Sequence, residues 1–253
     1  ILIQMFKFFK KSLKIRSSQD SYAGTRPYNE DSFQKLDTKK RHLYVLADGL
    51  GGMGNGKLAS ETAVEAAIRF GTDAVETGRE FMKELFEASQ KAVLEKKTAD
   101  TSRMATTMVA LEINDDTACW AHIGDSRLYW FRNGQIRHQT ADQSVPQMLV
   151  RIGEITLDEI RNHPDRSRLL HTIGYEWEEN PCEVSEELHI RKGDAFLLCS
   201  DGFWEYIREP EMEELLRENT TPETWLDAMM ETVRKHGENK DMDNCSAMCI
   251  MIL

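Results

Sequence analysis

The sequence is short of positive charge. Its 32 lysines and arginines face 43 aspartates and glutamates, which gives a formal net charge of -11. Such a chain repels the phosphate backbone of a nucleic acid unless basic residues are concentrated locally, so a nucleic-acid partner is disfavoured. The acidic balance favours the attraction of divalent cations instead.

The sequence also lacks paired cysteines. None of its five cysteines belongs to a Cys-x-x-Cys pair, and most lie within apolar runs that are typical of strands. Such residues behave as small buried hydrophobic side chains, and unpaired cysteines are typical of a reducing compartment. These features predict a cytoplasmic protein and disfavour a catalytic cysteine.

A run long enough to span a membrane is missing as well. Lysines and an arginine interrupt the apolar residues of the segment 1–21, and its uncharged run is too short to cross a bilayer. We interpret this segment as a basic N-terminal stretch with a first strand, and a weak amphipathic surface anchor is the alternative. No internal repeat or Gly/Ser/Pro-rich linker follows, so residues 22–253 are predicted to form a single domain.

Strand-like and helix-like patterns alternate along the chain. Apolar runs predict strands at 41–47, 104–113, 118–124, 126–132, 136–140, 194–200 and 245–253. Apolar residues at helical spacing predict helices within 59–70 and 81–93, which we expect to pair and cover a sheet. Thr221 and Pro222 have the pattern of an N-cap and a first helical residue. The order predicts an α+β fold in which helices cover antiparallel sheets.

The segment 144–168 carries two short helical patterns within a stretch that otherwise resembles a loop. Ser144 and Gln147 have the spacing of a capping box, and so do Thr156 and Glu159. We therefore predict a folded flap here.

The stretch ADGLGGMGNGKLAS at 47–60 satisfies two phosphate-binding patterns but meets the chemistry of neither. A P-loop needs Ser or Thr after its lysine to bind Mg²⁺, and Leu58 follows Lys57 here. A dinucleotide fingerprint needs the helix to begin at its first glycine, whereas five glycines delay the predicted helix to about Lys57. Asp48 would also repel a pyrophosphate. A nucleotide-binding enzyme is therefore the less favoured alternative.

Acidic residues occur beside most of the predicted strands, at Glu30, Asp31, Asp48, Asp125, Asp201 and Asp243. Each of them alone is explained by a turn between strands. If they converge, however, their like charges need a counter-cation, and carboxylate oxygens favour hard ions such as Mg²⁺ or Mn²⁺ over zinc. The pattern predicts a two-metal hydrolytic site.

Eight motifs in order resemble the metal-dependent protein phosphatases, the PPM or type 2C serine/threonine family, in its compact bacterial form. They are GTRPYNEDSF (24–33), VLADGLGG (45–52), MATTM (104–108), GDSRLY (124–129), TADQSV (140–145), LHTIG (170–174), DAFLLCSDGFWE (194–205) and DNCSAM (243–248). The resemblance implies a four-layer α-β-β-α sandwich with two central antiparallel sheets. It also implies that Mn²⁺ or Mg²⁺ is the cofactor, with two ions bound tightly and a third more weakly.

The resemblance also implies roles for the central acids. Asp48 is expected to bridge two metals, and the carbonyl of Gly49 to complete the coordination of one. Asp201 and Asp243 are expected to hold the first metal. Asp48 and Asp201 thereby count, with the arginine described next, as catalytic residues.

Four further residues match the family motifs. Glu30 and Asp31 are expected to support the second metal, mainly through bound water, and Asp125 to hold the third. Arg26 resembles the arginine that binds the substrate phosphate, for which a planar guanidinium is suited.

The implied reaction is direct attack by a metal-bridging hydroxide on the phosphorus of phosphoserine or phosphothreonine. The implied partners are phosphorylated proteins and a counteracting serine/threonine kinase, and we expect a monomer. A catalytically silent phosphatase-like domain is the alternative, and the intact metal-binding acids disfavour it.

The sequence departs from its relatives at the expected proton donor. Leu50 and Met53 occupy positions that are histidine in many members of the family, and neither can protonate a leaving alkoxide. His163 in the flap is one candidate donor, although a surface or loop-packing role is favoured for it.

Overall fold

The chain forms two sheets from strands that are far apart in sequence. The computed structural model describes residues 13–39, 41–50 and 55–253. Its elements are, in chain order, β1 (Ile15–Tyr22), β2 (Ser32–Asp37), β3 (Arg41–Ala47), β4 (Gly49–Leu50), α1 (Asn55–Asp73), α2 (Gly78–Lys96), β5 (Ala105–Thr106), β6 (Met108–Asn114), β7 (Thr117–Ile123), β8 (Arg127–Arg132), β9 (Gln135–Gln139), α3 (Val145–Arg151), a 3-10 helix (Leu157–Asn162), β10 (Glu183–Val184), β11 (Leu188–His189), β12 (Asp194–Cys199), α4 (Asp201–Trp204), α5 (Glu209–Glu218), α6 (Pro222–Gly237) and β13 (Cys245–Ile252).

The first sheet has the strand order β1-β13-β12-β8-β9, and its neighbouring strands are antiparallel. β1 pairs with β13 over its whole length, from Ile15 opposite Ile252 to Tyr22 opposite Cys245. This pairing brings the loop after Tyr22 next to the residues that precede β13.

The second sheet has the order β10-β7-β6-β3-β2, and β11 also pairs with β7. The pairings of β2 with β3, β3 with β6 and β6 with β7 are antiparallel and join strands that are close along the chain. A separate two-stranded pairing of β4 with β5 places Gly49 opposite Thr106.

The central strands are buried on both faces, which explains their unbroken apolar runs. In β3, Leu43 and Val45 belong to the apolar cluster that includes α1 and α2, whereas Tyr44 and Leu46 belong to the cluster between the two sheets. Alternate side chains of a strand point to opposite faces, so one apolar run serves two cores.

Helices cover the outer face of each sheet. α1 and α2 pack on the second sheet through a cluster that includes Phe81 and Leu85. α6 packs on the first sheet through Trp225, Met229 and Val233, all fully buried. The predicted α-β-β-α sandwich is confirmed, and so is the predicted cap of α6, where the Thr221 side chain accepts a hydrogen bond from the N–H of Thr224.

Several predicted elements differ in detail from the structure. The strand predicted at 104–113 is split, since Thr107 separates β5 from β6. The strands β2, β10 and β11 and the helices α4 and α5 also belong to the fold, and no periodic pattern predicted them, because short or half-exposed segments carry little periodic signal. Within the described part of the chain, no helix combines the length and apolarity needed to cross a membrane.

The flap is folded, as its two capping patterns predict. Ser144 caps α3 by accepting a hydrogen bond from the N–H of Gln147, and the capping box of Thr156 and Glu159 is formed. The second helical segment is a 3-10 helix, however, and not an α-helix. Val145 N–H donates to the carbonyl of Arg168 over 2.9 Å, and this bond closes the base of the flap.

Candidate active site

A pocket of about 500 Å³ opens where several strands of both sheets end. Acidic side chains dominate its polar lining. The lining residues are Arg26, Pro27, Tyr28, Glu30, Asp48, Gly49, Leu50, Asp125, Ser167, Leu169, Asp201, Asp243 and Asn244. The structure thus brings together seven of the eight residues predicted for the site, and the eighth, Asp31, lies buried behind them with its charge coupled to theirs.

The second sheet and the β4–β5 pair hold the main chain of Asp48. Asp48 directly follows β3, and its N–H donates to the Thr107 hydroxyl over 3.1 Å. Its carbonyl accepts from the N–H of Thr107 over 2.9 Å and from the hydroxyl of Thr106 over 2.7 Å. Three hydrogen bonds therefore fix the backbone from which this carboxylate projects.

Gly49 lies directly against the start of α1. A Cβ added to Gly49 would lie 2.2 Å from the carbonyl oxygen of Gly56, so any larger residue would separate β4 from the helix. The helix that was predicted to begin at about Lys57 begins two residues earlier, at Asn55. Gly51, Gly52, Met53 and Gly54, to which the sequence pattern assigned a turn and a missing proton donor, lie outside the described residues.

Two serines from different strands hold Asp31. Asp31 is only 3% exposed, and one of its oxygens accepts hydrogen bonds from Ser246 over 2.6 Å and from Ser200 over 2.8 Å. Burial raises the pKa of Asp31 to about 6, although these two hydrogen bonds favour its ionised form. The sequence motifs contained both serines, but their function depends on contacts that no local pattern reveals.

The acids of the pocket raise one another's pKa. Burial and then the charges of the neighbouring carboxylates raise the pKa of Asp48 and of Asp201 well above the usual range. Burial, and next the nearby Asp142, raise the pKa of Asp125 to about 8. A desolvated cluster of like charges is unfavourable unless positive charge enters it.

Arg26 is the only cation among the described residues that line the pocket. Its guanidinium donates to both oxygens of Asp243, over 3.3 and 3.1 Å, and both side chains are nearly half exposed. Arg26 and Asp243 are 217 positions apart, and the β1–β13 pairing brings them together.

Asn244 fixes the loop that carries Arg26. Its side-chain amide donates to the carbonyls of Ala23 and Tyr28, and its side-chain oxygen accepts from the N–H of Glu30. One buried asparagine thus satisfies three main-chain groups of the loop 23–30. The Asp-Asn dipeptide was visible in the sequence as a turn, but not this function.

A buried arginine supports Asp125 from behind. Arg127 forms two hydrogen bonds of 2.8 Å with Asp142, and both side chains are almost fully buried. The guanidinium of Arg127 lies 3.5 Å from the ring centre of Trp204, whose indole N–H donates to the carbonyl of Asp125. Residues of the three sequence motifs 124–129, 140–145 and 194–205 therefore contact one another behind Asp125.

The donor set fits hard divalent cations. Three carboxylate oxygens, Oε1 of Glu30, Oδ1 of Asp31 and Oδ1 of Asp201, are buried without a hydrogen-bond partner. Buried polar atoms are normally satisfied, so orphaned carboxylate oxygens in an acidic pocket indicate a cation site. Among the described residues, no three acidic, histidine or cysteine side chains stand in metal-binding geometry.

The sequence-based candidate for proton donation lies elsewhere. His163 ends the 3-10 helix of the flap, its Nδ1 accepts from the N–H of Asp165, and it does not line the pocket. The favoured interpretation, a histidine that packs within a loop, therefore accounts for its contacts.

Comparison of the sequence with known proteins finds similar protein phosphatases. A family model described as protein phosphatase 2C matches residues 20–245. The chain is 32% identical over 223 residues to the serine/threonine phosphatase stp of Listeria innocua, covering 84% of this chain and 86% of that protein. It is also 33% identical over 198 residues to the serine/threonine protein phosphatase PstP of Mycobacterium tuberculosis, covering 76% of this chain and 37% of that protein.

Solved structures of serine/threonine phosphatases have a similar fold. The M. tuberculosis serine/threonine phosphatase PstP/Ppp superposes with a TM-score of 0.81 at 28% identity, covering 94% of this chain and 98% of that one. The catalytic domain of PstP in complex with two manganese ions superposes with a TM-score of 0.80 at 26% identity, covering 96% of this chain and all of that one.

Proposed function

Because the chain belongs to the protein phosphatase 2C family, we propose that its acidic pocket hydrolyses phosphoserine and phosphothreonine in proteins with the help of Mn²⁺ or Mg²⁺. The observation that carries the proposal is the set of three buried, unpartnered carboxylate oxygens of Glu30, Asp31 and Asp201. The relatives named as serine/threonine phosphatases and the similar structure with two manganese ions support it.

Each acid has a proposed place in the metal site. Asp48 and the carbonyl of Gly49 would hold the divalent ions at the centre of the pocket. Asp201 and Asp243 would hold the first ion. Divalent ions bound there supply a water nucleophile of lowered pKa and positive charge opposite the phosphoryl oxygens.

The remaining acids have supporting roles in the proposal. Glu30 and Asp31 would support the second ion. Asp125 would hold a third, weaker ion. Asp125 is 5% exposed and Asp31 is 3% exposed, so both carboxylates are shielded from bulk water and favour a cation.

Arg26 binds the substrate phosphate in this proposal. Its guanidinium lies at the pocket wall, where it already donates two hydrogen bonds to Asp243. Phosphate oxygens can accept the same planar pair of donors, so an arriving phosphoryl group competes with Asp243 for them. No described lining residue is a histidine, and we propose that water entering the open pocket protonates the leaving alkoxide.

We further propose that residues 22–253 form a single catalytic domain after the segment 1–21, and that the flap 144–168 influences substrate choice. Ser167 of the flap lines the pocket, which supports this role. Phosphorylated proteins and a counteracting serine/threonine kinase are the proposed partners of a monomer. All five thiols are free, which supports a reducing, cytoplasmic setting.

Phosphate release from a phosphothreonine peptide tests the proposal. We expect release with Mn²⁺ or Mg²⁺, none with EDTA, and a loss of at least about 100-fold in kcat for Asp201→Asn, because a metal ligand is removed. Asp227→Asn is the matched control, since Asp227 is an exposed acid of α6, outside the pocket.

Calorimetric titration with Mn²⁺ provides a second readout. The wild type and Asp227→Asn should bind the ion with equal affinity, and Asp201→Asn should bind it more weakly. Phosphate release that persists in EDTA, or in Asp201→Asn, contradicts the metal-dependent proposal.

A further inference from the structure

A second groove of about 500 Å³ adjoins the active-site pocket. We call it the flank groove and define it by Leu50, Arg103, Ser167, Leu170, Tyr175 and Trp177. Leu50, Ser167 and Leu169 line both cavities, so one continuous surface leads from the acidic cluster into the flank groove.

The floor of the flank groove is tied to the backbone of the active site. Thr106 and Ile173 exchange both main-chain hydrogen bonds, over 2.9 and 2.8 Å. β5, which contains Thr106, in turn pairs with β4, which contains Gly49. A ligand bound in the groove would therefore lie at a fixed distance from the catalytic carboxylates.

The apolar wall is exposed but held in place. Leu170 and Tyr175 are 45% and 52% exposed, although both are large apolar side chains. The carbonyl of Tyr175 accepts from the side-chain amide of Gln90, and the indole N–H of Trp177 donates to the carbonyl of Thr172. Exposed apolar surface on a rigid backbone beside an active site is typical of a ligand-binding surface.

The rim of the groove is locally basic on a strongly acidic protein. Arg103 is exposed, and it has no ion-pair partner within the described ranges. The ammonium of Lys97 lies 4.5 Å from the ring centre of Tyr175, and its charge interacts with that of Glu176. Lys97 thus offsets Glu176, the acid among the described residues that line the groove, and the positive charge of Arg103 remains.

We propose that the flank groove binds the polypeptide segment next to the phosphorylated residue and selects an apolar side chain together with an acidic one. The apolar side chain packs on Leu170 and Tyr175, and the acidic side chain pairs with Arg103. This inference rests on the proposed phosphatase function. The continuity of the two cavities commits the groove to the substrate chain itself, because a phosphorylated residue in the pocket carries its neighbours past Leu50 and Ser167.

Peptide kinetics test the proposal. Phosphothreonine peptides carry either Leu or Ala, and either Glu or Lys, at each of the four positions before and after the phosphothreonine. The measured quantity is kcat/KM for each peptide divided by kcat/KM for p-nitrophenyl phosphate, which has no flanking residues. At one or more positions, we expect the wild type to prefer Glu over Lys by about tenfold at low salt, and less at high salt.

Three variants test which residues cause the preferences for Glu over Lys and for Leu over Ala. Arg103→Glu should abolish or reverse the preference for Glu, whereas Arg69→Glu, with the same change of charge at an exposed position of α1, should keep it. Tyr175→Ala should lower the preference for Leu over Ala by about threefold, because it removes apolar contact area. Equal melting temperatures should show that the variants remain folded.

The possible outcomes distinguish a failure of the groove proposal from a failure of the proposed phosphatase function. If the wild type hydrolyses all peptides equally with Mn²⁺, or if Arg103→Glu behaves as Arg69→Glu does, the groove proposal is overturned and the activity stands. If neither peptides nor p-nitrophenyl phosphate release phosphate in any metal condition, the proposed function fails and the groove proposal fails with it.

Discussion

At the scale of single residues, Asp31 shows how hydrogen bonds hold a buried carboxylate in this site. Its carboxylate lies behind the pocket and accepts two hydroxyl hydrogen bonds, one from the residue before Asp201 and one from β13. Ser246 also contacts the hydroxyl of Ser21 in β1, over 2.7 Å. The serines orient one carboxylate oxygen and leave the other, Oδ1, without a partner.

Ser246→Ala tests this positioning role. Losing a hydrogen bond to a buried carboxylate should lower the free energy of unfolding by about 1 to 2 kcal/mol and weaken Mn²⁺ binding by about tenfold. Denaturant titration and calorimetry measure the two effects. Ser17→Ala is the matched control, because the Ser17 hydroxyl lies outside the pocket, where it contacts Tyr44 and accepts a hydrogen bond from the exposed Lys35 over 3.1 Å. Unchanged Mn²⁺ affinity in Ser246→Ala would exclude the role.

A second prediction at this scale concerns Arg26, whose guanidinium is proposed to bind the substrate phosphate. Arg26→Ala should raise KM for a phosphopeptide by about 10-fold or more and lower kcat less, because a charge-assisted hydrogen bond to phosphate is lost. Arg26→Lys should recover only part of the affinity, since an ammonium lacks the planar pair of donors. Steady-state kinetics measure both constants, and an unchanged KM in Arg26→Ala would contradict phosphate binding.

At the scale of elements, two arginines fasten the flap to the first-sheet side of the molecule. Arg161, in the 3-10 helix, donates to the carbonyl of Ile207 over 3.1 Å and to Glu209 over 2.8 Å. Arg166 donates to Glu205 over 2.7 Å. Because Glu205 interacts electrostatically with Asp201, the flap is tied to residues next to the acidic cluster.

Arg161→Ala should loosen the flap. The Arg161 side chain is 7% exposed, so its loss leaves Glu209 and a carbonyl short of donors and should cost about 2 to 3 kcal/mol of unfolding free energy. Hydrogen exchange should accelerate at the amides of 155–168 more than at those of β12. Arg168→Ala is the control, because the exposed pair of Arg168 with Asp165 should contribute less than about 0.5 kcal/mol.

At the scale of the whole molecule, stability depends on pH through groups that the sandwich buries. His122 in β7 is 3% exposed, and its Nε2–H donates to the carbonyl of Ala141 over 2.8 Å. Burial lowers the pKa of His122, and the hydrogen bond to Ala141 and the charges of Glu183 and Asp142 oppose this effect only in part. The folded protein therefore favours the neutral ring.

The lowered pKa of His122 makes the folded protein less stable in acid. Below the unfolded pKa of about 6.5, the unfolded chain binds a proton that the folded protein does not, so acid destabilises the fold. Relative to His122→Gln, the wild type should lose up to about 1.4 kcal/mol of unfolding free energy per pH unit between the unfolded and folded pKa values. Denaturant titrations from pH 5 to 8.5 measure it. A difference that is the same at pH 5.5 and pH 8 would contradict it.

Much of the fold was readable from local pattern. Apolar runs located the long central strands, helical periodicity located α1, α2 and α6, and capping residues located the flap helices. These features depend on side chains a few positions apart. The pairing of β1 with β13 depends on residues from opposite ends of the chain, and no local pattern specifies such a pairing.

The sequence by itself determined which chemistry the pocket could contain, because acids beside apolar runs and a glycine after Asp48 are local features. Only the tertiary structure decided which residues meet. It paired Arg26 with Asp243 and placed Ser200 and Ser246 on Asp31 across 169 and 215 positions. The physical reason is burial: a carboxylate removed from water must find partners wherever the packed strands bring them, and the chain order of those strands does not reveal their neighbours.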